Sequence, residues 1–322
     1  MKVLIVHAHH EPKSFCSALY RRAVDTLTAA GHEVVTSDLY AMDFDPVSDR
    51  RNFTTVADPA YLKQQTEEKR ATDEAGFAPV LEAEIAKLEA CDLLIFTFPL
   101  WWFGMPAILK GWVDRVFAMH RIYGNGKFYE NGLGKAQRRA MVIMTSGGSK
   151  EAYGGFGVQP PLTTVLGPIE HGVFWFNGFL PLDAFVAYSA ARIPQEERTA
   201  LLEKLDQRLR SLDGEQPHRL APMSDFASGF GADTKKRFMV TVTLKGPRDE
   251  KFKALIPDEQ RRLAEMKREG ILLSSYIGAP QADPWRGFLN FRESGEDRVR
   301  EHLGTLPLAA YFDFGVTELM TI

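Results

Sequence analysis

Apolar positions in this chain fall in short runs separated by stretches of helical period, and the two kinds alternate through its first two thirds. Lys2–His7 (KVLIVH) reads as a buried strand. Ser14 can cap a helix from Phe15 to about Ala30, which Gly31 ends. His32–Leu39 is a second strand, residues 41–77 form a long polar segment, and Pro79–Glu89 is a helix. Leu93–Phe98 is nearly continuous in apolar residues, as expected of a parallel strand covered on both faces. Pro99 stops it, and Pro106 sits at the first turn of a helix through Phe117. Arg139–Thr145 is another strand and ends in the glycine-rich loop Ser146–Gly157. Phe179–Ser189 and a helix over Gln195–Leu212 complete a fifth unit. This alternation predicts an α/β domain over residues 1–212 with a doubly wound, five-stranded parallel sheet.

From residue 213 to 235 the periodicity is lost and Pro, Ser, Gly and Asp accumulate, which reads as a linker or an extended excursion. A second pattern begins at about residue 236. Arg237–Lys245 is a strand, Asp258–Gly270 a charged amphipathic helix, Ile271–Gly278 and Gly287–Arg292 two strands, Asp297–Thr305 a helix, and Tyr311–Glu318 a last strand. The order βαββαβ predicts a ferredoxin-like α+β domain over 236–322.

With 322 residues, 45% of them hydrophobic, the chain can bury a sizeable core, and its length favours two domains. A net charge of −3 carries no polybasic footprint, so neither nucleic acid nor an anionic membrane is the expected partner. The uncharged run Leu93–Leu109 is broken by two prolines and a glycine and falls short of the ~20 residues that span a bilayer. Cys16 and Cys91, the only cysteines, offer no disulfide framework, and MKVLIVHAHH is too brief for a secretory signal. A reducing cytoplasm is the expected compartment.

In an open parallel sheet, ligands bind beyond the carboxyl ends of the strands. Three loops qualify: His9–Cys16, Pro99–Phe103 and Thr145–Tyr153. The first leads into a helix N-terminus whose free N–H groups can hold a phosphate near Ser14, Phe15 and Cys16. It lacks the glycine spacing of a GxGxxG or P-loop sequence, which disfavours a dinucleotide fold or a nucleoside triphosphatase. The second loop places Trp101, Trp102 and Phe103 together, which suits a planar aromatic cofactor and favours flavin. His7, His9 and His10 form the metal-like pattern HxHH, but alternation sends His7 and His9 to one face and His10 elsewhere, so no metal is assigned. Trp112 and Phe117 read as core, Phe185 and Tyr188 as strand packing, and Lys110 and Arg115 as residues of solvated faces.

These segments carry a resemblance. FPLWWFGMPAILKGWVDRVF, HEVVTSDLYAMDFDP, the TSGG of Thr145–Gly148 and AHHEPKSF, in order across separate segments, resemble the NAD(P)H:quinone oxidoreductase (DT-diaphorase) family of flavodoxin-like flavoproteins. The resemblance implies a homodimeric FAD enzyme, with FMN as the alternative, that takes hydride from NAD(P)H and reduces a quinone or another planar aromatic acceptor by two electrons. The family's flavin contacts fall on His9, Phe15, Cys16, Leu100, Trp101, Trp102, Phe103, Thr145, Ser146, Gly147, Gly148, Tyr153 and Arg198, beside the Ser14 and Pro99 of the same loops. Its substrate pocket, built from both subunits, falls on Trp102, Phe103, Tyr123 and Phe176. The catalytic pair is Tyr153 and Gln159, where Gln159 replaces the family's histidine, and Cys16 replaces its usual asparagine. An amide donates a hydrogen bond without supplying a proton near neutral pH.

MVTVTLKGP, EQRRLAEMKREGILL and LGTLPLAAYFDFGVTEL resemble muconolactone isomerase and its relatives, small ferredoxin-like proteins. The open readings are an azo- or nitroaromatic reductase or a flavin reductase on the same scaffold, a bifunctional reductase-isomerase, and a flavin-bearing redox sensor or scaffold.

Overall fold

The computed structural model describes residues 1–134, 138–218, 220–227, 231–279, 281–282 and 285–320. They form two units, Met1–Pro217 and His218–Ile322.

The first unit runs β1 (Lys2–His7), α1 (Phe15–Ala29), β2 (Glu33–Asp38), α2 (Gln64–Glu74), α3 (Pro79–Ala90), β3 (Leu93–Pro99), α4 (Ala107–Val116), β4 (Arg138–Thr145), α5 (Leu162–Gly167), β5 (Phe179–Pro181), β6 (Phe185–Ala187) and α6 (Gln195–Arg210). The sheet order is β2-β1-β3-β4-β5, with β6 also on β4. Every pairing is parallel. Successive side chains of a strand point to opposite faces, so Val3 and Ile5 join Leu19, Leu27, Leu205 and Leu209 of α1 and α6. Leu4 and Val6 instead join Leu81, Ile85 and Trp112 of α3 and α4. Both faces are covered, which is why β1, β3 and β4 are largely apolar, whereas the edge strand β2 (EVVTSD) is not.

Four features differ from expectation. The fifth strand is broken: β5 pairs with Arg138–Ala140 and β6 with Ile143–Thr145, with one extra residue on the β5–β6 side of the register. Pro181 has no N–H to give the ladder, and the chain steps out there before rejoining. The polar segment 41–77 contains α2, whose QQTEEKRATDE has almost no apolar stripe. Buried carboxylates dock it: Glu67 accepts from the N–H of Ala57 at 2.6 Å and of Asp58 at 3.1 Å, and Glu68 from that of Met119 at 2.8 Å. Arg115 is buried, not solvated. Its Nε donates to Asn52 Oδ1 at 2.8 Å, another guanidinium nitrogen donates to the Asp45 carbonyl, and the group lies over the Phe44 ring at 5.4 Å. His10 does not leave the His9 side. The strand ends at His7, alternation ends with it, and the two rings stack at 4.8 Å.

His7 itself is buried at the end of β1, stacked on Tyr20 at 4.3 Å, with Nδ1 2.8 Å from Thr97 Oγ1 and Nε2 3.0 Å from Ser17 Oγ. A neutral ring satisfies both hydroxyls, and burial, only partly opposed by Asp38, lowers its pKa from 6.5 to about 4. At pH above 6.5 neither the folded nor the unfolded ring is protonated. As pH falls from 6.5 to 4 the unfolded ring takes a proton that the folded one refuses, so stability falls by about 3 kcal/mol across that window. Urea unfolding at pH 7.5 and 4.5 should show this loss, and His7→Gln should remove most of it.

The second unit runs β7 (Lys236–Leu244), α7 (Glu250–Arg268), β8 (Leu272–Ile277), β9 (Arg286–Glu293), α8 (Glu296–Gly304) and β10 (Phe312–Leu319). Its sheet, ordered β10-β7-β9-β8, is antiparallel in every pairing. One face packs Phe238, Val240, Leu289 and Phe291 against Met266, Val299 and Leu303 of the two helices. Helix α7 starts eight residues before the expected Asp258, because Asp249 caps it by accepting from the Phe252 N–H at 2.7 Å and Pro257 lies inside it. A proline just before a charged amphipathic run reads as a start, and here the helix continues through it. Residues 213–235 are tied down at both ends: Glu215 pairs with Arg208 at 2.6 Å in the first unit, and Asp225 and Asp233 pair with Arg292 at 3.0 and 2.6 Å in the second. Among the described residues no helix is long and apolar enough to cross a membrane.

Candidate active site

The carboxyl ends of β1, β3, β4 and β6 bring their loops together through contacts among the sequence-selected residues. Thr145, the last residue of β4, is the hub. Its carbonyl accepts from the Leu100 N–H at 2.8 Å, and its side chain lies beside the Cys16 thiol. His9 and His10 approach the Trp101 ring at 6.2 and 5.7 Å, joining the first loop to the second. The third loop is fastened to the segment after β6: Ser146 N–H donates to the Ala187 carbonyl at 2.9 Å, Ser189 N–H to Gly148 at 2.9 Å and Ala190 N–H to Ser146 at 3.0 Å.

Each loop owes its form to local chemistry. Ser14 caps α1, its Oγ accepting from the Ser17 N–H at 3.1 Å, which leaves the first-turn amides of Phe15 and Cys16 without intrahelical partners. The Phe15 ring faces the Arg198 guanidinium at 5.7 Å, and Arg198 also donates to the carbonyls of Ala190 at 3.1 Å and Ile193 at 3.3 Å. Burial pushes the Cys16 thiol up to about 12 against the opposing effect of Thr145, so it is a neutral packing group with no nucleophilic role. Burial, and then His10, lower the pKa of His9, whose Nδ1 accepts from the Glu11 N–H at 3.0 Å.

The aromatic loop is a two-residue turn, closed by Gly104 N–H to the Trp101 carbonyl at 2.9 Å and the reverse bond at 3.2 Å. Trp102 and Phe103 both have left-handed φ, 51° and 59°, where such turns favour Asn and Gly. That strain costs roughly 1–2 kcal/mol per residue. It leaves Trp102 98% exposed, with no ring contact among the described residues. On the third loop, Gly148 is required: a Cβ there would lie 2.7 Å from the Tyr153 ring. Tyr153 ends a single 3₁₀ turn, its ring 6.3 Å from that of Tyr188, and Gln159 N–H donates to the Ala152 carbonyl at 2.9 Å. Between them Phe156 and Val158 are 94% and 90% exposed.

Tyr123 and Phe176 belong to a second group. Their rings lie 6.0 Å apart in a groove of about 460 Å³ that Glu68 and Asn177 also line, and neither Trp102 nor Phe103 lines it. Within one chain the four expected pocket residues are therefore two separate pairs. Tyr188, expected as strand packing, lies beside Tyr153, and Ser189 and Arg192 escaped the sequence reading as site residues, although Arg192 donates to the Gly147 carbonyl and Ser189 has a φ of 50°. The signal was YSAARIP directly after a strand, at the same sheet edge as the other loops.

The loops thus form one cradle: two glycines without side chains, a turn that presents bare aromatic rings, and a helix N-terminus beside an arginine. Such a set can hold a flat ring system and its phosphate. Residues 1–211 match the family model described as a flavodoxin-like fold. The chain is 38% identical over 232 residues to NAD(P)H dehydrogenase [quinone] 1 of Cavia porcellus, covering 72% of this chain and 84% of that protein. It is 37% identical to the ribosyldihydronicotinamide dehydrogenase [quinone] of Homo sapiens, covering 67% and 94%. Among solved structures, a candidate quinone reductase from Klebsiella pneumoniae superposes with a TM-score of 0.66 at 34% identity, covering 71% of this chain and 92% of that one. The chain belongs to the NAD(P)H dehydrogenase (quinone) family, and its first unit carries that family's flavodoxin-like fold.

Proposed function

We propose that this protein is a flavin-dependent NAD(P)H:quinone oxidoreductase acting as a homodimer in the cytoplasm, with FAD as the cofactor and FMN as the alternative. The single observation that supports it most is the meeting of three loops on Thr145, with Trp102 and Phe103 held bare beside them. Bound flavin supplies a two-electron carrier between NAD(P)H and a quinone. The Phe15 and Cys16 amides bind its phosphate, and His9, Trp101 and Arg198 border that end. The Thr145–Gly148 loop, with no side chain at Gly147 or Gly148 and with the Gly147 N–H as donor, would allow close approach by the edge of the flavin ring. Tyr153 and Gln159 donate hydrogen bonds there. Trp102 and Phe103 of one protomer and Tyr123 and Phe176 of its partner complete an acceptor pocket, which accounts for their separation within the chain and for exposed apolar side chains at Trp102, Phe156 and Val158. The four-stranded antiparallel sheet with two helices supports a ferredoxin-like fold for the second unit, of the kind found in muconolactone isomerase relatives.

The purified protein should be yellow, release FAD on denaturation and oxidise NADH or NADPH with a simple quinone over many turnovers. Colourless protein that neither flavin reconstitutes would overturn the reading. Because an amide does not titrate, flavin reduction in the stopped flow should be flat between about pH 6 and 7, and Gln159→His should introduce a transition near the ordinary histidine value. A clear transition in the unsubstituted protein would remove Gln159 from the role given to it.

A further inference from the structure

The second unit contains a cavity of about 370 Å³ between its sheet and α7. This lies at the lower end of the range for ligand sites, roughly 300–1,000 Å³. Phe252, Ile256, Glu259 and Leu263 place one face of α7 on it, at helical spacing. Ile256 and Leu263 face the core yet stay only partly buried, so the helix does not close on the sheet. Packed interiors leave few voids larger than a water, so an apolar hollow of this size between a helix and a sheet is unusual.

The walls are aromatic and fixed. Trp285 stacks on Phe312 at 5.8 Å and 21°, and its Nε1–H donates to the Gly278 carbonyl at 3.1 Å. Three charged groups line the same hollow, and one of them, Lys253, is paired with Glu250 at 2.6 Å. Arg248, half-buried on the segment joining β7 to α7, lies over the Trp285 ring at 4.9 Å and makes no ion pair among the described residues. Glu259 accepts from the Leu308 N–H at 2.9 Å through Oε2, and Oε1 has no partner among the described residues. A guanidinium and a carboxylate on one apolar cavity, neither neutralising the other, each bear a desolvation cost that a ligand with the complementary groups offsets.

We propose that this cavity is a second small-molecule site, independent of the redox centre, for a planar aromatic carboxylate that also carries a hydroxyl group. The ring lies against Trp285 and the apolar face of α7, the carboxylate pairs with Arg248, and the hydroxyl donates to Glu259. A saturated acyl chain would leave the flat aromatic walls and the free Glu259 oxygen unused.

Titration calorimetry of the full chain with 6-hydroxy-2-naphthoate tests this, with 2-naphthol, 2-naphthoate and decanoate as ligands lacking the carboxylate, the hydroxyl and the ring. One molecule of the hydroxy acid should bind per chain, and each of the three comparison ligands should bind more weakly. Arg248→Leu removes a charge-assisted pair and should weaken binding about tenfold or more. Leu263→Trp fills the hollow and should abolish binding, while the melting temperature and NAD(P)H–quinone turnover stay near those of the parent. Absence of binding, unchanged affinity in both variants, or equal affinity for decanoate would each overturn the proposal, the second by placing the ligand elsewhere on the chain.

Discussion

Gly148→Ala is expected to lower NAD(P)H–quinone turnover by about a hundredfold, the scale on which a displacement of about 1 Å in a positioned group acts. The added Cβ would sit 2.7 Å from Cε2 of Tyr153, closer than non-bonded carbons come, so the tyrosine must move. Tyr153 cannot move freely, because its turn is closed by Gly154 N–H to the Glu151 carbonyl and Gln159 N–H to that of Ala152. The Ser189 N–H bond to the Gly148 carbonyl pins the other side. The change therefore falls on the loop given to the cofactor edge and leaves the sheet beneath it alone. Steady-state kcat/KM, with the melting temperature as a check on folding, measures it. Gly155→Ala is the comparison: on the same loop, its Cβ meets nothing within 4 Å, and turnover should stay near the parent value. Equal activity in both variants would show that Tyr153 does no positioning.

Trp112→Ala should produce the largest loss of stability in the first unit, about 4 kcal/mol. The side chain is fully buried on α4, meets Phe96 and Phe117 edge-on at 5.9 Å each, and donates from Nε1 to Glu84 Oε2 at 2.8 Å. Removing it leaves a cavity on the covered face of β3 and takes one donor from a buried carboxylate. Glu84 retains Lys87 at 2.6 Å on one oxygen and Ser37 at 2.6 Å on the other. Trp112→Phe keeps most of the ring volume and should cost about 1–2 kcal/mol, chiefly the lost hydrogen bond. The urea midpoint, followed by loss of turnover as a readout of the first unit, separates the two. Midpoints that coincide would mean that hydrogen bonding, and not packing, makes Trp112 important.

How far the sequence could be read depended on where each element's stability came from. Helices α1, α3 and α4, and strands β1, β3 and β4, draw theirs from apolar stripes or runs, and these are visible in the order of residues. Helix α2 draws its from two buried glutamates that accept backbone N–H groups up to fifty-one positions away, which no local pattern reports. Arg115 was assigned to water on residue type alone. It is buried because Asn52, Asp45 and Phe44 converge on it from a distant segment. In the site, the aromatic turn and the glycine pair stood out because their residue types are rare in succession. The contribution of Tyr188–Arg192 did not, since those residues matter through hydrogen bonds to Ser146, Gly147 and Gly148 that exist only once β6 lies beside β4.

By itself the sequence determined the parallel sheet of the first unit, because periodicity and residue type are local properties that survive without knowledge of the fold, and it carried the redox family through motifs that resemble that family's. Only the tertiary structure decided that Thr145 links the loops, that Trp102 and Phe103 stand apart from Tyr123 and Phe176 within one chain, and that the second unit holds an apolar cavity lined by an arginine with no ion pair among the described residues. Those are relations between residues far apart in the chain, and packing alone sets their distances.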